Sequence, residues 1–482
     1  MRTYAHAGAG LLLLLGGWTP VFCQTVQTET FDRDPGWDGL NNRSETFERR
    51  TVTQDFGYAP DVRVGGPMGA IGGSLTPDGT PAYYAKVLPA STFDLPLQAS
   101  GTIRVDKGPG NALFGFFNAG TINEWRTPNT IVFRINGRGD TFHVHVECAT
   151  SKWRANAGVI GTYDTVADRM YPIEFPGDSV HSWSLSYDPA GGDGHGVIAA
   201  TFDNERAEIK LSEDLRTDGA TFNRFGLLSV VKHADSPGSF WLGGLTLSGE
   251  VVDLSGDPQW EGLNNRSTYV TDNVRPRFNF GYSPTQYAGG IAAGELGGLF
   301  FRGDCRYAEK LAYYGAKLDT LTLQKTLRAS GKLVLRRGVS DSTTLLAFFH
   351  SKHSVEVNES QSQGLPSDVL GFAIEGPSSQ GFYVYPVYRV HGDDVNSGVA
   401  PGSRLIYPDG APHTWALEYV PPGNGPEARI TLTVDDTTVT MPVSAEHVAT
   451  GASFDRFGLV TPWIDGNGQV AYFDDLTFTA KQ

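Results

Sequence analysis

The sequence contains little cysteine and, beyond its first 23 residues, no long apolar run. Of its 482 residues only 3 are cysteine, and two of these, Cys148 and Cys305, occupy unrelated positions. This placement excludes a disulfide framework and predicts two buried free thiols. The lack of a second apolar run of about 18 residues or more makes a helical membrane anchor in the rest of the sequence unexpected.

Basic residues are also scarce relative to acidic ones. The chain has 38 Lys and Arg against 53 Asp and Glu, which gives a net charge of −15. Nucleic-acid binding is not expected, because a phosphate backbone requires a concentrated basic face. An acidic polysaccharide would have to bind through a local cluster of Arg and Lys.

Residues 1–23 have the pattern of a signal peptide. Arg2 precedes the apolar stretch 9–18, which is too short to span a bilayer and leads to a cleavage position after Cys23. In an alternative lipoprotein interpretation Cys23 carries the lipid, but the bulky Phe22 before it fits that pattern poorly. We therefore expect a secreted protein, either extracellular or periplasmic.

Two copies of one unit make up the rest of the chain. Residues 34–44, DPGWDGLNNRS, match residues 257–267, DPQWEGLNNRS. The order of matches continues with 56–60 and 280–284, 72–73 and 297–298, 84–86 and 307–310, 99–101 and 329–331, 116–117 and 348–349, 181–185 and 413–417, and 222–227 and 454–459. Each copy is far longer than a solenoid repeat, so the pattern predicts two domains, 28–250 and 251–482.

Each unit has the sequence pattern of an antiparallel β-sheet protein. Apolar and polar residues alternate at period two in segments 130–136, 141–147, 183–187 and 196–202, and glycine-rich turns such as 136–140 and 189–194 separate them. Many short strands over roughly 220 residues predict an all-β chain of two tandem β-sandwich, or jelly-roll, domains.

The closing segments 454–459 and 470–478, with His413-x-Trp415-x-Leu417-x-Tyr419 and the strand 430–434, resemble the concanavalin A-like lectin/glucanase superfamily, which includes LamG-like jelly rolls. Segments 123–129, NEWRTPN, and 137–140, GRGD, also resemble a group of secreted bacterial proteins without assigned chemistry. The superfamily resemblance implies a glycan-binding or glycan-cleaving role, with the ligand on the concave face of a curved sheet.

The same resemblance bears on catalysis and on metal binding. Glucanases of the superfamily typically carry a Glu-x-Asp-x-x-Glu strand motif, which this chain lacks, and this counts against a standard retaining glucanase. No cofactor is expected to be required. The superfamily often carries a structural Ca²⁺, and Asp474 and Asp475 would offer oxygen ligands for one.

Candidate site residues cluster in a predicted hairpin of repeat 1. A simple hairpin with Arg138 and Gly139 at its tip would place Arg134 opposite His143 and Asn136 opposite Thr141. One face of this hairpin would then carry polar and charged side chains from both strands, and nearby loops would add others. The predicted face set is Arg134, Asn136, His143, His145 and Glu147, and the predicted loop set is Glu124, Trp125, Arg126, Trp153 and Arg154.

These residue types suit carbohydrate chemistry. His143 and Glu147 would act as acid and base beside Arg134 in a glycoside hydrolase or a polysaccharide lyase, while the tryptophans and the remaining polar groups would bind sugar. The competing interpretation is the solvated side of a half-buried sheet. The pair His143 and His145 lacks further ligands at recognisable spacing, so a polar face is favoured over a metal site there.

Repeat 2 serves as an internal control. At the matching strand 382–387 both histidines become tyrosine and the Glu147 position becomes apolar, and Arg134 aligns near Ala373. Residues that recur despite this divergence are expected to be structural, namely Trp37 and Trp260, Asn41 and Asn264, Asn42 and Asn265, Arg43 and Arg266, Tyr58 and Tyr282, Trp183 and Trp415, and, less clearly, Lys86 and Lys310. Three functions remain open: a glycan-binding protein, a polysaccharide-degrading enzyme using repeat 1, and an extracellular adhesion module.

Overall fold

The computed structural model describes residues 25–43, 49–66, 68–123, 125–359, 364–376, 379–391, 396–397, 402–423 and 427–481. The predicted signal peptide, residues 1–23, lies outside these ranges. Among the described residues, none of the helices is long and apolar enough to cross a membrane. Cys148 and Cys305 are free and buried, as expected.

Among the described residues, nineteen strands precede residue 252. They are β1 (Thr25–Glu29), β2 (Asp38–Leu40), β3 (Arg50–Ala59), β4 (Ala70–Leu75), β5 (Ala82–Thr92), β6 (Leu97–Lys107), β7 (Ala112–Phe117), β8 (Thr130–Arg138), β9 (Thr141–Ala149), β10 (Ala155–Val159), β11 (Gly161–Asp164), β12 (Arg169–Pro172), β13 (Phe175–Pro176), β14 (Val180–Asp188), β15 (Val197–Phe202), β16 (Glu205–Lys210), β17 (Thr221–Ser229), β18 (Gly238–Leu247) and β19 (Glu250–Val251). The helix α1 (Glu213–Asp218) and a 3₁₀ turn at Gly192–Gly194 lie among them.

The second half of the chain repeats this arrangement. Its strands are β20 (Glu261–Leu263), β21 (Arg266–Thr271), β22 (Phe278–Ser283), β23 (Glu295–Phe301), β24 (Tyr313–Thr322), β25 (Leu327–Gly338), β26 (Thr343–Phe349), β27 (Val369–Glu375), β28 (Phe382–Arg389), β29 (Asn396–Ser397), β30 (Arg404–Ile406), β31 (Pro412–Val420), β32 (Ala428–Val434), β33 (Thr437–Val443), β34 (Ser453–Val460) and β35 (Gly468–Lys481). The helix α2 (Ala445–Thr450) and 3₁₀ turns at Ala308–Lys310 and His353–Val355 complete it.

Four large antiparallel sheets form two sandwiches, which confirms the predicted all-β tandem fold. Sandwich 1 consists of sheet 1A, in the order β16-β15-β14-β6-β18-β4-β3-β21, and sheet 1B, in the order β10-β9-β8-β7-β17-β5-β20. Sandwich 2 consists of sheet 2A, β22-β23-β35-β25-β31-β32-β33, and sheet 2B, β2-β24-β34-β26-β27-β28-β29. In sandwich 1 Trp183 of sheet 1A stacks on Phe225 of sheet 1B with ring centroids 6.2 Å apart, and Trp415 fills the corresponding place in sandwich 2.

The first strands of each sequence repeat pair with the sandwich of the other repeat. Strands β20 and β21 extend sheets 1B and 1A, so sandwich 1 is one continuous stretch of chain. Strand β2 extends sheet 2B, and β1 pairs with β35 at the end of the chain. The sequence repeats 28–250 and 251–482 therefore do not coincide with the sandwiches. The segment 25–43 pairs with sandwich 2, and the segment that contains β20 and β21 pairs with sandwich 1; we call these two the closing segments.

The recurring asparagines fix this exchange in both directions. The Asn42 amide donates to the Phe280 carbonyl at 2.6 Å, and the Asn265 amide donates to the Phe56 carbonyl at 2.6 Å. The backbone N–H groups of Phe280 and Phe56 donate in return to the carbonyls of Asn42 and Asn265, each at 3.0 Å. Asn41 adopts a positive φ of 51°, a conformation that asparagine tolerates better than most residues.

Equivalent side chains of the two repeats also form contacts where each closing segment meets its sandwich. Trp37 packs on Tyr314 and Trp260 packs on Tyr84, both with ring centroids 5.9 Å apart. Asp38 forms an ion pair with Arg456 at 2.7 Å, and the corresponding pair of Glu261 with Arg224 lies at 2.8 Å. The recurring Trp and Asn positions are therefore structural, as expected from their survival in both repeats.

One sequence match was wrong. The counterpart of Tyr84 is Tyr314, which follows Tyr313 in β24, because Leu227 pairs with Tyr84 and the equivalent Leu459 pairs with Tyr314. Lys310 lies before that strand, in a 3₁₀ turn, so it is not the counterpart of Lys86. The match rested on two short segments that both contain Tyr-Ala, and these segments occupy different positions in the two repeats.

We predict that Phe31→Ala destabilises sandwich 2 rather than sandwich 1. Phe31 is 0% exposed within the core of sandwich 2, and truncation of a buried aromatic typically costs about 3–5 kcal/mol. Hydrogen exchange should accelerate in β22 and β23 while β3 and β4 keep their protection. Val26→Ala, at a position 52% exposed, is the control and should change neither. Loss of protection in sheet 1A would contradict the exchanged topology.

Candidate functional site

The predicted polar face exists on strands β8 and β9 of sheet 1B. Burial alternates along β9, so that Phe142, Val144 and Val146 enter the core of sandwich 1. His143, His145 and Glu147 point to the opposite side, together with Arg134 and Asn136 of β8. We call this side the outer face of sheet 1B.

The predicted register of this hairpin was wrong by one position at the turn. Arg138 pairs with Thr141, which leaves Gly139 and Asp140 as the two-residue tip. Gly139 has a φ of +73°, and a glycine at the first position of a two-residue turn suits the twist of the strands. Arg134 consequently lies opposite His145 rather than His143, and Asn136 lies opposite His143.

Arg134 and Glu147 neutralise each other across the two strands. Arg134 Nε lies 2.6 Å from Glu147 Oε1, and its Nη1 donates to Asn111 Oδ1 at 2.9 Å. Asn136 donates to the same Asn111 oxygen and to the carbonyl of Gly110. Glu147 therefore accepts a charge-assisted hydrogen bond on the outer face and is not a free carboxyl group.

The two histidines differ in their surroundings. His143 Nε2 lies 3.7 Å from Glu174 Oε1, near the edge strand β13. Burial, together with the positive charge of the facing Arg134, lowers the pKa of His145 to about 4. His145 is therefore a neutral imidazole at physiological pH, beside a fixed cation.

Trp125 packs between the sandwiches instead of presenting its ring to a ligand. It is 6% exposed and belongs to the core of sandwich 2, where it meets Phe301 edge-on at 6.0 Å. Its indole N–H donates to Asn273 Oδ1 at 2.9 Å. Gly79 allows this approach, because a Cβ there would lie 2.7 Å from the Trp125 ring. The neighbouring Glu124 lies outside the described residues.

Arg126 and Trp153 form a cation–π pair next to Trp125. The Arg126 guanidinium carbon lies 3.4 Å from the centroid of the Trp153 ring, and an N–H group donates to the Lys152 carbonyl. Burial lowers the pKa of Arg126 to about 9. Among the described residues no carboxylate forms an ion pair with it, in contrast to Arg134.

Arg154 has a structural partner. Its Nη1 lies 2.7 Å from Asp218 Oδ1, and the Asp218 side chain is only 2% exposed. Thr150 donates to the other oxygen of the same carboxylate at 3.1 Å. Asp218 raises the pKa of Arg154 through this hydrogen bond. Arg154 therefore compensates the buried negative charge of Asp218 at the C-terminal end of α1.

Arg126, Trp153 and Glu147 border a groove between the two sandwiches. A cavity of about 490 Å³ is lined on one side by Arg126, Glu147, Trp153, Asn156 and Lys232. Its other side is formed by residues 338–340 and Ser379 of repeat 2. A second cavity of about 490 Å³ shares Trp125, Glu147, Lys232 and Ser340 and continues to Arg134. Neither His143 nor His145 lines either cavity.

Sequence reasoning missed Lys232 and the second wall of the groove. Lys232 Nζ donates to the Ser340 hydroxyl and lies 3.7 Å from Asp341 Oδ2. Burial lowers the pKa of Lys232. No local pattern in the sequence links residue 232 to residue 340, because their proximity depends on how the two sandwiches pack.

The corresponding face of repeat 2 is closed. Ala373 and Tyr385 occupy the positions of Arg134 and His145 and belong to an apolar cluster that includes Leu365 of the preceding connection. Glu375, at the end of β27, accepts hydrogen bonds from Arg302 and Tyr385. Within the described part of repeat 2, the groove therefore has no equivalent on sheet 2B.

The predicted calcium ligands Asp474 and Asp475 lie on β35 of sheet 2A. Asp475 Oδ2 lies 2.9 Å from Lys332 Nζ, and Asp475 Oδ1 accepts the Ile291 N–H at 3.0 Å. Burial raises the pKa of Asp474 to about 7. A lysine thus already supplies positive charge beside these carboxylates, and Ca²⁺ binding here stays a prediction.

No protein-family model and no curated protein sequence matches the chain. Comparison of shapes with solved structures finds the mouse laminin alpha1 chain, domains LG4-5, at 13% identity and a TM-score of 0.23, covering 88% of this chain and 92% of that one. It also finds the Emp47p carbohydrate recognition domain at 13% identity and a TM-score of 0.27, covering 44% of this chain and 92% of that one. Both likenesses are too distant to carry an argument about the ligand of this chain.

We predict that His145 keeps its neutral form down to about pH 5. Its ring resonances in NMR spectra of the folded protein should not shift between about pH 5 and pH 8, whereas the urea-unfolded chain should titrate near pH 6.5. Because the unfolded state binds a proton that the folded state refuses, His145 makes the free energy of unfolding fall as the pH drops from about 6.5 to about 4. His145→Asn should reduce that dependence, and a folded-state midpoint near 6.5 would refute it.

Proposed function

We propose that this protein is a secreted carbohydrate-recognising protein that binds a glycan in the groove between its two sandwiches. The observation that carries the proposal is the cation–π pair of Arg126 with Trp153 at the wall of this groove. An indole provides an apolar surface for a sugar ring, and a guanidinium provides several hydrogen-bond donors for hydroxyl or carboxylate groups. The size of the cavity, about 490 Å³, is in the range of small-ligand sites.

The charges of the groove favour an acidic glycan. Arg126 has no carboxylate partner among the described residues, and Lys232 has only a distant one, 3.7 Å away. Both cations are partly buried, and bringing an anion to them would offset the cost of that burial. A chain of net charge −15 thus has a local positive site of the kind that a uronic-acid polysaccharide requires. The neutralised pair of Arg134 and Glu147 would orient hydroxyl groups.

We predict that Arg126→Gln weakens binding to a uronic-acid polysaccharide such as polygalacturonate or alginate by about tenfold, which corresponds to about 1.4 kcal/mol. Affinity electrophoresis or calorimetry on the full secreted chain measures it. Trp153→Ala should weaken binding as well, and added salt should weaken binding to the unmodified protein.

The chain offers a matched control. Arg63 lies 4.4 Å from the ring centroid of Trp241 in sandwich 1 and does not line the groove. Arg63→Gln removes a similar cation–π pair and should leave glycan binding unchanged. Equal losses from Arg63→Gln and Arg126→Gln would argue against the groove. Failure of the unmodified protein to bind any neutral or acidic glycan would leave the adhesion module as the better function.

A second candidate is a polysaccharide lyase or glycoside hydrolase. The observation that favours it is the neutral imidazole of His145 directly opposite Arg134, since a lyase needs an unprotonated base beside a group that neutralises the uronate. Against it, Glu147 is engaged by Arg134, and His143 and His145 lie outside the groove.

We predict that incubation with polygalacturonate, alginate and a neutral β-glucan produces neither new reducing ends nor the absorbance of an unsaturated uronide. Release of either product would overturn the binding-only function. In that case His145→Ala and His143→Ala would identify the base, because only removal of the true base abolishes turnover while the glycan still binds.

A further inference from the structure

Three side chains from separate parts of repeat 2 converge at one end of sheet 2B. His353 lies in the 3₁₀ turn after β26, Asp368 directly precedes β27, and His391 follows β28. Their potential ligand atoms all lie within 4.8 Å of one another. His353 Nδ1 is 2.6 Å from Asp368 Oδ2, and His391 Nδ1 is 3.7 Å from the same oxygen.

Asp368 is the unusual member of this cluster. Its side chain is 1% exposed, and its Oδ1 atom has no hydrogen-bond partner within the described ranges. A buried carboxylate oxygen without a donor is costly. Asp368 also adopts a positive φ of 52°, a conformation that both asparagine and aspartate tolerate.

Repeat 1 shows that the fold does not require these charges. The residue equivalent to Asp368 is Asn129, which has a similar φ of 58° and precedes β8. Both functional groups of the Asn129 side chain are satisfied, since its amide donates to Thr121 Oγ1 and its oxygen accepts the Thr221 N–H. A neutral amide therefore suffices at this position, and repeat 2 instead has an aspartate flanked by histidines.

Hydrogen bonds of uncharged groups also hold the backbone around the cluster. Ser354 is 0% exposed, and its hydroxyl contacts the carbonyls of Ser367 and Asp368 at 2.6 and 3.2 Å. The Trp463 indole N–H donates to the Ser354 carbonyl at 3.0 Å. The His350 ring stacks on the His353 ring, with centroids 3.9 Å apart. The turn that carries His353 is thus fixed beside Asp368 in advance.

We propose that His353, Asp368 and His391 form a zinc-binding site. Two imidazole nitrogens and one carboxylate are a ligand set typical of zinc, whereas Ca²⁺ and Mg²⁺ prefer oxygen alone. Zinc would take the place of the hydrogen bond between His353 Nδ1 and Asp368 Oδ2, leaving both as ligands. The side chain of His391 is 55% exposed, so the fourth coordination position would face water. This site is independent of the glycan groove.

The test is a titration of the full secreted chain with ZnCl₂ after dialysis against a chelator. Calorimetry should show one site and proton release that varies with the ionisation enthalpy of the buffer. Substitution of Co²⁺ should give the visible absorption of a tetrahedral complex. Zinc should also raise the melting temperature, because it binds only the folded site. Absence of zinc binding to the unmodified protein would overturn the proposal.

Variants distinguish this site from adventitious binding. His391→Gln, at an exposed position, and Asp368→Asn, which recreates the repeat 1 residue, should each weaken zinc binding by at least about tenfold and abolish the zinc-dependent rise in melting temperature. His413→Gln is the matched control, because His413 forms a similar pair with Asp435 at 2.8 Å without a second histidine. Undiminished zinc binding by both His391→Gln and Asp368→Asn would refute the proposed ligands.

Discussion

The reciprocal hydrogen bonds of Asn42 and Asn265 are the constraint on which the rest of the molecule depends. Each asparagine joins the closing strands supplied by one sequence repeat to a strand of the other repeat within the same sandwich, and each does so with both its side-chain amide and its backbone. Because β2 of sandwich 2 is followed by β3 of sandwich 1, and β21 of sandwich 1 by β22 of sandwich 2, the chain crosses twice between the sandwiches and links them at two points. In the arrangement that results, Lys232 donates to Ser340 and the groove has its second wall.

The sequence predicted the fold well because its signals are local and repeated. Period-two alternation gave the strands of the hairpin and the side of β9 that faces the core, and the recurring Trp37, Asn42 and Trp260 marked the framework. The exchange of closing segments was not predictable, since a repeat has the same sequence whether it closes on itself or on its neighbour. The turn between β8 and β9 was misassigned by one residue, which moved Arg134 from His143 to His145.

The candidate site was predicted only in part for a related reason. Arg126 and Trp153 lie 27 residues apart and were both identified, but their stacking depends on the path of two loops. Trp125 was interpreted as a sugar platform, whereas it packs into the core of the other sandwich. The cluster of His353, Asp368 and His391 had a weak signal in the pair His350 and His353, but only the folded chain brings Asp368 and His391 to it.

The pairing of β1 with β35 has a consequence for the order of folding during synthesis. Thr25 lies opposite Lys481, so the first residues of the described chain pair with its last ones. Sandwich 1 can complete itself as soon as residue 271 has emerged, because all its strands lie in one stretch. Sandwich 2 must wait for the entire polypeptide before the segment that emerged first can join it. The first described strand to leave the ribosome is thus the last to reach its native place.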